Sequence, residues 1–277
     1  MTLPDQGFLD LPPMRLEYRM IGPRPDAAPT IVMLHEGLGS VGIWGDFPER
    51  IAAATGAGVF VYSRAGYGLS PPVKLPRSTS FMDEEARDVL PRVLAAIGFR
   101  RGFLLGHSDG ASIAAIYAGS VQDHRIRGLV LMAPHFFTEA IGLNEIARAR
   151  KSFATGALRE KLKRWHADVD SAFRSWNEPW LDPAFRSWDI TEVLSYIRVP
   201  ILVVQGEDDQ YGTIKQVEVV ARECYCPVET ALLPRVRHVP YREAPELTLK
   251  IVADFLNRLL RDHREAERPA ASGVVPS

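Results

Sequence analysis

Short, wholly apolar runs recur along this chain, and most end in glycine or a turn. They fall at residues 30–34, 58–62, 103–105, 129–132 and 201–204. Runs of this kind suit strands buried on both faces of a parallel sheet, because neither side meets water. Residues 14–21 alternate instead, as an edge strand or hairpin does. Helix-like segments separate the runs. They cover 47–54, then 81–97 with Phe81, Ala86, Val89, Val93 and Ile97 near one face, then the small and apolar 111–118, and last about 245–260. Strand and helix alternate nearly throughout. That order calls for a mostly parallel sheet with helices on both sides.

The alternation breaks at 136–198. This stretch reads as helical and carries Trp165, Trp176, Trp180 and Trp188, four of the five tryptophans, with no buried-strand run among them. Aromatic side chains without a core of their own cover something, so the segment is read as a helical cap on a core of 1–135 and 199–263. From residue 264 the chain is charged and then rich in Pro, Ala and Ser, and that tail is read as disordered.

Composition excludes several function classes. The formal net charge is −1, so no overall field draws the protein to nucleic acid or an anionic membrane. No segment approaches the ~20 apolar residues that span a bilayer. The first residues lack a basic region followed by an apolar run, so no secretory signal is expected. The two cysteines, Cys224 and Cys226, are too close for a stable mutual disulfide and too few for a zinc site. A cytoplasmic location follows as the expectation.

The chemistry centres on Gly106-His107-Ser108-Asp109-Gly110. A Gly-x-Ser-x-Gly match arises by chance roughly 0.1 times in a chain of this length at ordinary residue usage. Its context adds weight: a buried run precedes it and a small-residue helix follows. A serine on so sharp a strand-to-helix turn presents its hydroxyl at a helix N-terminus, where N–H groups favour negative charge. The plain alternative is a turn with a capping serine.

A serine needs a base. His238 follows the apolar segment 230–233 and precedes the last helix. The other histidines are placed otherwise: His107 in the elbow, His35 in a glycine loop, His135 and His166 in the cap region, His124 and His263 on the surface. The base in turn needs an acid to fix its tautomer. Glu207, Asp208 and Asp209 follow the run 201–204 in succession, and spacing alone leaves the three open.

With serine, acid and histidine in that order, the chain resembles the α/β-hydrolase superfamily over nearly its whole length. The resemblance implies a sheet of about eight strands with a cap. It selects Asp209, three residues after Gly206, with Asp208 as runner-up. It places the family's oxyanion loop at His35-Glu36-Gly37-Leu38-Gly39, where Glu36 stands in for a usual glycine. By position the N–H groups of Gly37 and Asp109 become the oxyanion donors. The loop Ser63-Arg64-Ala65-Gly66-Tyr67-Gly68-Leu69-Ser70 resembles Asp-x-x-Gly-x-Gly-x-Ser and is read as structural. An acid after the serine is similar to the valacyclovir-hydrolase type, whose members cleave amino-acid esters. The Asp109 carboxylate then either binds a substrate ammonium or, more plainly, caps its helix or pairs with a cap arginine.

The function expected is serine hydrolysis of a small or medium carboxylic ester, with Glu36, Asp109, Trp165 and Trp176 touching substrate. The partner is a small molecule, no metal or organic cofactor is implied, and monomer and homodimer are both open. C–C bond hydrolysis or a related lyase step would use the same triad. A non-catalytic receptor of this fold is the alternative from another class. Gly37-Leu38-Gly39-Ser40-Val41-Gly42 also matches a dinucleotide fingerprint, with Arg64 placed for a 2′-phosphate, and His35-Glu36 begins a zinc motif that Gly39 breaks.

Overall fold

The computed structural model describes residues 3–266. Its sheet has eight strands: β1 (Gln6–Leu11), β2 (Met14–Ile21), β3 (Thr30–Leu34), β4 (Gly58–Tyr62), β5 (Gly102–His107), β6 (Ile126–Met132), β7 (Ile201–Gly206) and β8 (Val228–Leu233). Their order in space is β1-β2-β4-β3-β5-β6-β7-β8. β2 pairs antiparallel with β1 and β4, and every other pairing is parallel. This is the mostly parallel, helix-flanked sheet that the apolar runs call for.

α1 (Phe47–Thr55) follows β3. α2 (Phe81–Glu84) and α3 (Leu90–Ala96) follow β4, and α4 (Asp109–Ser120) follows β5. Between β6 and β7 come α5 (Ala140–Ala154), α6 (Ala157–Leu162), α7 (Val169–Trp180) and α8 (Thr191–Leu194). α9 (Lys215–Glu223) joins β7 to β8, and α10 (Pro240–Glu243) and α11 (Pro245–Ala266) complete the described chain. Side chains of each strand alternate between two cores. Ile31, Met33, Val59, Val61, Leu202 and Val204 pack under α1 and α11. Val32, Leu34, Phe60, Tyr62, Ile201 and Val203 face the layer that includes α3 and α4.

The structure departs from the sequence expectations in three places. The helix expected over 81–97 is interrupted by a π turn at Glu85–Val89. Pro91 has no N–H to donate and crowds the carbonyl one turn earlier, and the wider turn absorbs that conflict. The turn also shifts the buried face, so Leu90 and Leu94 are inside while Val89 is half-buried. β1 is not marked by an apolar run, because only its alternate residues Leu9 and Leu11 are buried. The last helix continues through residues 264–266, where a disordered tail was expected; the rest of that tail, 267–277, lies outside the described residues. No described helix is long and apolar enough to cross a membrane.

Parallel pairing aligns the strand ends. Leu34 sits beside Gly106, His107 beside Met132, and Gly206 beside Leu233. The loops after β3, β5, β7 and β8 therefore leave the sheet at one edge, the carboxyl edge where open α/β sheets bind their ligands.

Candidate active site

Ser108 occupies the turn between β5 and α4 with φ 52° and ψ −120°. A non-glycine residue reaches that region only under constraint. The constraint is visible in its neighbours. The Ser108 N–H donates to the Met132 carbonyl at 2.9 Å, and its own carbonyl accepts from the Ala111 N–H at 2.8 Å. A Cβ at Gly106 would collide with the Gly110 carbonyl, and a Cβ at Gly110 would collide with the Leu34 carbonyl. The two glycines let α4 approach β3 and β5 closely enough to hold the turn.

A hydrogen-bonded chain leads away from the serine. His238 Nε2 lies 3.0 Å from Ser108 Oγ, and His238 Nδ1 lies 2.9 Å from both oxygens of Asp209. Asp209 Oδ1 also accepts from the Tyr211 N–H at 2.8 Å. Burial works to raise the Asp209 carboxyl, but the charge and hydrogen bond of His238 outweigh it and leave it below the ordinary range. An ionised Asp209 requires the proton on His238 Nδ1, so a neutral ring presents Nε2 as an acceptor to the serine. Glu207 and Asp208 are exposed while Asp209 is buried, which separates the three acids that spacing left open.

Two further histidines flank this chain. His107 Nε2 donates to the His238 carbonyl at 2.7 Å, and its Nδ1 faces Glu36 Oε2 at 3.4 Å. His135 stands with its ring 5.6 Å from that of His238. Burial, with the nearby His238 charge, pushes His135 down to about 3, so it is neutral. The Tyr211 ring lies 4.6 Å from His238 on another side.

A cavity of about 250 Å³ opens over Ser108, walled by Glu36, Gly37, Trp176, Trp180, Ile146 and Tyr211 among others. Glu36 and Trp176, expected from sequence to touch substrate, line this cavity. Trp165 is not: it packs on Gly42, with the Arg164 guanidinium 4.9 Å from its ring, and does not line the cavity. Asp109 lines the cavity but neither caps its helix nor meets an arginine of the helical segment. The Trp180 indole N–H donates to its Oδ1 at 3.2 Å, and its buried Oδ2 has no partner among the described residues. Burial raises this carboxyl above its ordinary range. The N–H groups of Gly37 and Asp109 also have no acceptor among the described residues.

The profile of the alpha/beta hydrolase family matches residues 31–251. The chain belongs to the alpha/beta hydrolase family. Among characterised relatives, the proline iminopeptidase of Lactobacillus delbrueckii subsp. bulgaricus is 28% identical over 113 residues, which is 41% of this chain and only 38% of that protein. The proline iminopeptidase of Lactobacillus helveticus is 23% identical over 230 residues, 69% of this chain and 78% of that protein. The enol-lactonase of Burkholderia xenovorans LB400 superposes with a TM-score of 0.72 at 21% identity, covering 90% of this chain and 99% of that one. A thermophilic esterase from Thermogutta terrifontis superposes at 0.70 with 18% identity, covering 92% and 98%.

The dinucleotide and zinc readings lose their footing in the structure. The glycine loop 37–42 leads into a single 3-10 turn, Val41–Trp44, rather than a long helix. Arg64 is fully buried and cannot meet a 2′-phosphate. Among the described residues no cluster of His, Cys, Asp or Glu is arranged to hold a metal. The side chains at the site that the sequence did not assign to it are His107, His135, Trp180 and Tyr211. His107 carried a signal through its place inside the elbow motif, and Trp180 through its place in the tryptophan-rich segment.

Proposed function

We propose that the protein is a serine hydrolase that cleaves a small or medium carboxylic ester through an acyl-enzyme. The observation that carries this reading is the continuous chain from Asp209 through His238 to Ser108 at the floor of a cavity. His238 Nε2 takes the Ser108 proton as Oγ attacks the substrate carbonyl. The N–H groups of Gly37 and Asp109 stabilise the anionic oxygen of the tetrahedral intermediate. His238 then passes its proton to the leaving alcohol. A water molecule, deprotonated by the same ring, attacks the acyl-enzyme and releases the acid. The helical segment 136–198 acts as the cap, and Trp176, Trp180 and Ile146 supply the apolar wall that receives the acyl group. An enol-lactonase and an esterase among the structural neighbours are consistent with ester chemistry.

A second reading, hydrolysis of aminoacyl esters or amides, is favoured by Glu36. Burial works to raise its carboxyl, but His107 outweighs that and keeps it ionised in the cavity wall, where it could meet a substrate ammonium. The proline iminopeptidase relatives point the same way. A panel of p-nitrophenyl esters of graded chain length, run beside aminoacyl p-nitroanilides, separates the two. Turnover of short acyl esters without an amine supports the first reading. Turnover confined to substrates with a free amine replaces it with the second, and no turnover of any member counts against both.

A further inference from the structure

Arg64 takes no part in the steps above, yet its side chain is among the largest that are fully buried. No carboxylate lies within ion-pair distance of its guanidinium among the described residues, and its Nε has no partner. A buried cation is costly unless its N–H groups are used. Here they are used on two backbone carbonyls of the loop after β3. Nη1–H donates to the His35 carbonyl, and Nη2–H donates to the Glu36 carbonyl at 3.0 Å.

The Glu36 oxygen has two further donors. His35 Nδ1–H reaches it at 2.7 Å and the Gly39 N–H at 3.0 Å. The Arg64 backbone N–H donates to His35 Nε2 at 3.0 Å, which keeps the imidazole proton on Nδ1. Burial and the Arg64 charge hold His35 neutral, as that arrangement needs. Three donors converge on one oxygen, and Arg64 controls two of them.

That oxygen shares a peptide unit with the Gly37 N–H. The unit is trans, since the only cis bonds described precede Pro13 and Pro76. In a trans unit C=O and N–H point in opposite directions. Fixing the oxygen against Arg64 therefore turns the Gly37 N–H the other way, and Gly37 lines the cavity over Ser108. A cationic donor on the oxygen also draws electron density through the conjugated amide and strengthens its N–H as a donor. We propose that Arg64 is a positioning residue for the oxyanion site: its guanidinium holds and polarises the Glu36–Gly37 peptide so that the Gly37 N–H meets the developing negative charge. This inference rests on the assignment of Gly37 as an oxyanion donor.

The test uses a property of the sequence. Glu36-Gly37 is its only Glu-Gly pair, so carbonyl-13C glutamate combined with 15N glycine yields one coupled amide signal. That signal is followed in the wild type, Arg64→Lys and Arg64→Met, before and after a fluorophosphonate reacts with Ser108. The inactivation rate, and kcat and KM for p-nitrophenyl butyrate, are measured alongside. The wild-type Gly37 proton should move downfield in the adduct, and in Arg64→Met it should move less. In Arg64→Met kcat and the inactivation rate should fall about tenfold to a hundredfold, less than the loss of a whole donor. KM should stay within about twofold, because the effect belongs to the transition state. Arg64→Lys should recover part of the rate, since it keeps the charge but not the planar fork. If Arg64→Met does not fold, Arg64→Lys decides alone. Wild-type rates and a wild-type Gly37 response in the folded variants would overturn the role of Arg64 while leaving Gly37 as a donor. A Gly37 signal unmoved by the adduct in the wild type would overturn both.

Discussion

Two parts of the molecule meet over Ser108. On one side, loops at the carboxyl edge of the sheet carry Ser108, Asp209, His238 and Gly37, and hydrogen bonds from backbone and side chains fix them. On the other side, the helices between β6 and β7 contribute Trp176 and Trp180, and side-chain packing fixes these. Phe153 stacks on Phe173 with ring centres 3.8 Å apart, and Trp180 packs edge-on against Phe185 at 4.7 Å. Polar contacts join the two parts at several points, among them Glu139, which accepts from the Thr213 N–H at 2.9 Å and from Gln216 Nε2 at 2.8 Å. His166 in the helical segment accepts from the Gly68 N–H at 3.0 Å and donates to the Leu38 carbonyl at 3.0 Å, and Trp180 donates to Asp109. The sheet edge carries the hydrogen-bonded chain from Asp209 to Ser108, and the helical side walls the cavity in front of it.

The largest effect should come from the sheet edge. Ser108→Ala should lower kcat on the order of 10⁵-fold or more with the thermal midpoint nearly unchanged, and His238→Gln should do almost as much, because the two act as a unit. The division of labour breaks if either variant keeps a tenth of the wild-type rate.

Gly37→Ala probes the seam. The new methyl group would collide with the Trp176 indole, so the loop or the ring must move. A loss of about 10²-fold in kcat is expected, as for a displaced oxyanion donor. Trp176→Ala in the same chain should restore part of that rate. Strictly additive effects in this double-mutant cycle would mean that the two parts do not press on each other at Gly37.

Trp180→Phe removes the one hydrogen bond that the buried Asp109 carboxyl makes among the described residues. Urea unfolding should show a loss of about 1–3 kcal/mol, the cost of stranding a buried polar group. Asp109→Asn in the Trp180→Phe background should change stability less than it does in the wild type.

The smallest effect is in the pH dependence of stability. Burial holds His135 and His166 below the ordinary imidazole value of 6.5. The folded state therefore keeps these rings neutral where the unfolded chain binds protons. Their contribution is complete above about pH 6.5, declines as pH falls, and for His135 is lost by about pH 3. Stability should drop by about 1 kcal/mol per pH unit for each ring in the falling region. His135→Gln should flatten the slope between pH 6 and 5, and an unchanged slope would show that His135 titrates normally. Asp209 adds little to the slope between pH 6 and 5, because its carboxyl is lowered when folded and the unfolded carboxyl takes up its proton only near pH 3.8.

The same contrast explains what the sequence disclosed. β3 and β4 could be read to the residue because all five residues of each are buried, which leaves an unbroken apolar run. The elbow could be read because close backbone approach demands glycine at Gly106 and Gly110. The acid could not be separated by composition, since Asp208 and Asp209 differ only in which one the turn buries. The burial of Arg64 could not be read, because nothing local marks a buried arginine whose partners are carbonyls. Trp165 and Trp176 look alike in sequence, and only packing between distant helices sends one to Gly42 and the other to the cavity.

The central claim is that Ser108 is a nucleophile made reactive by His238. Intact-mass and peptide analysis after treatment with a fluorophosphonate tests it most directly. One adduct per chain is predicted, on the peptide containing Ser108, absent in Ser108→Ala and formed at least about 10³-fold more slowly in His238→Gln. An adduct on another residue, or labelling that persists in Ser108→Ala, would contradict it.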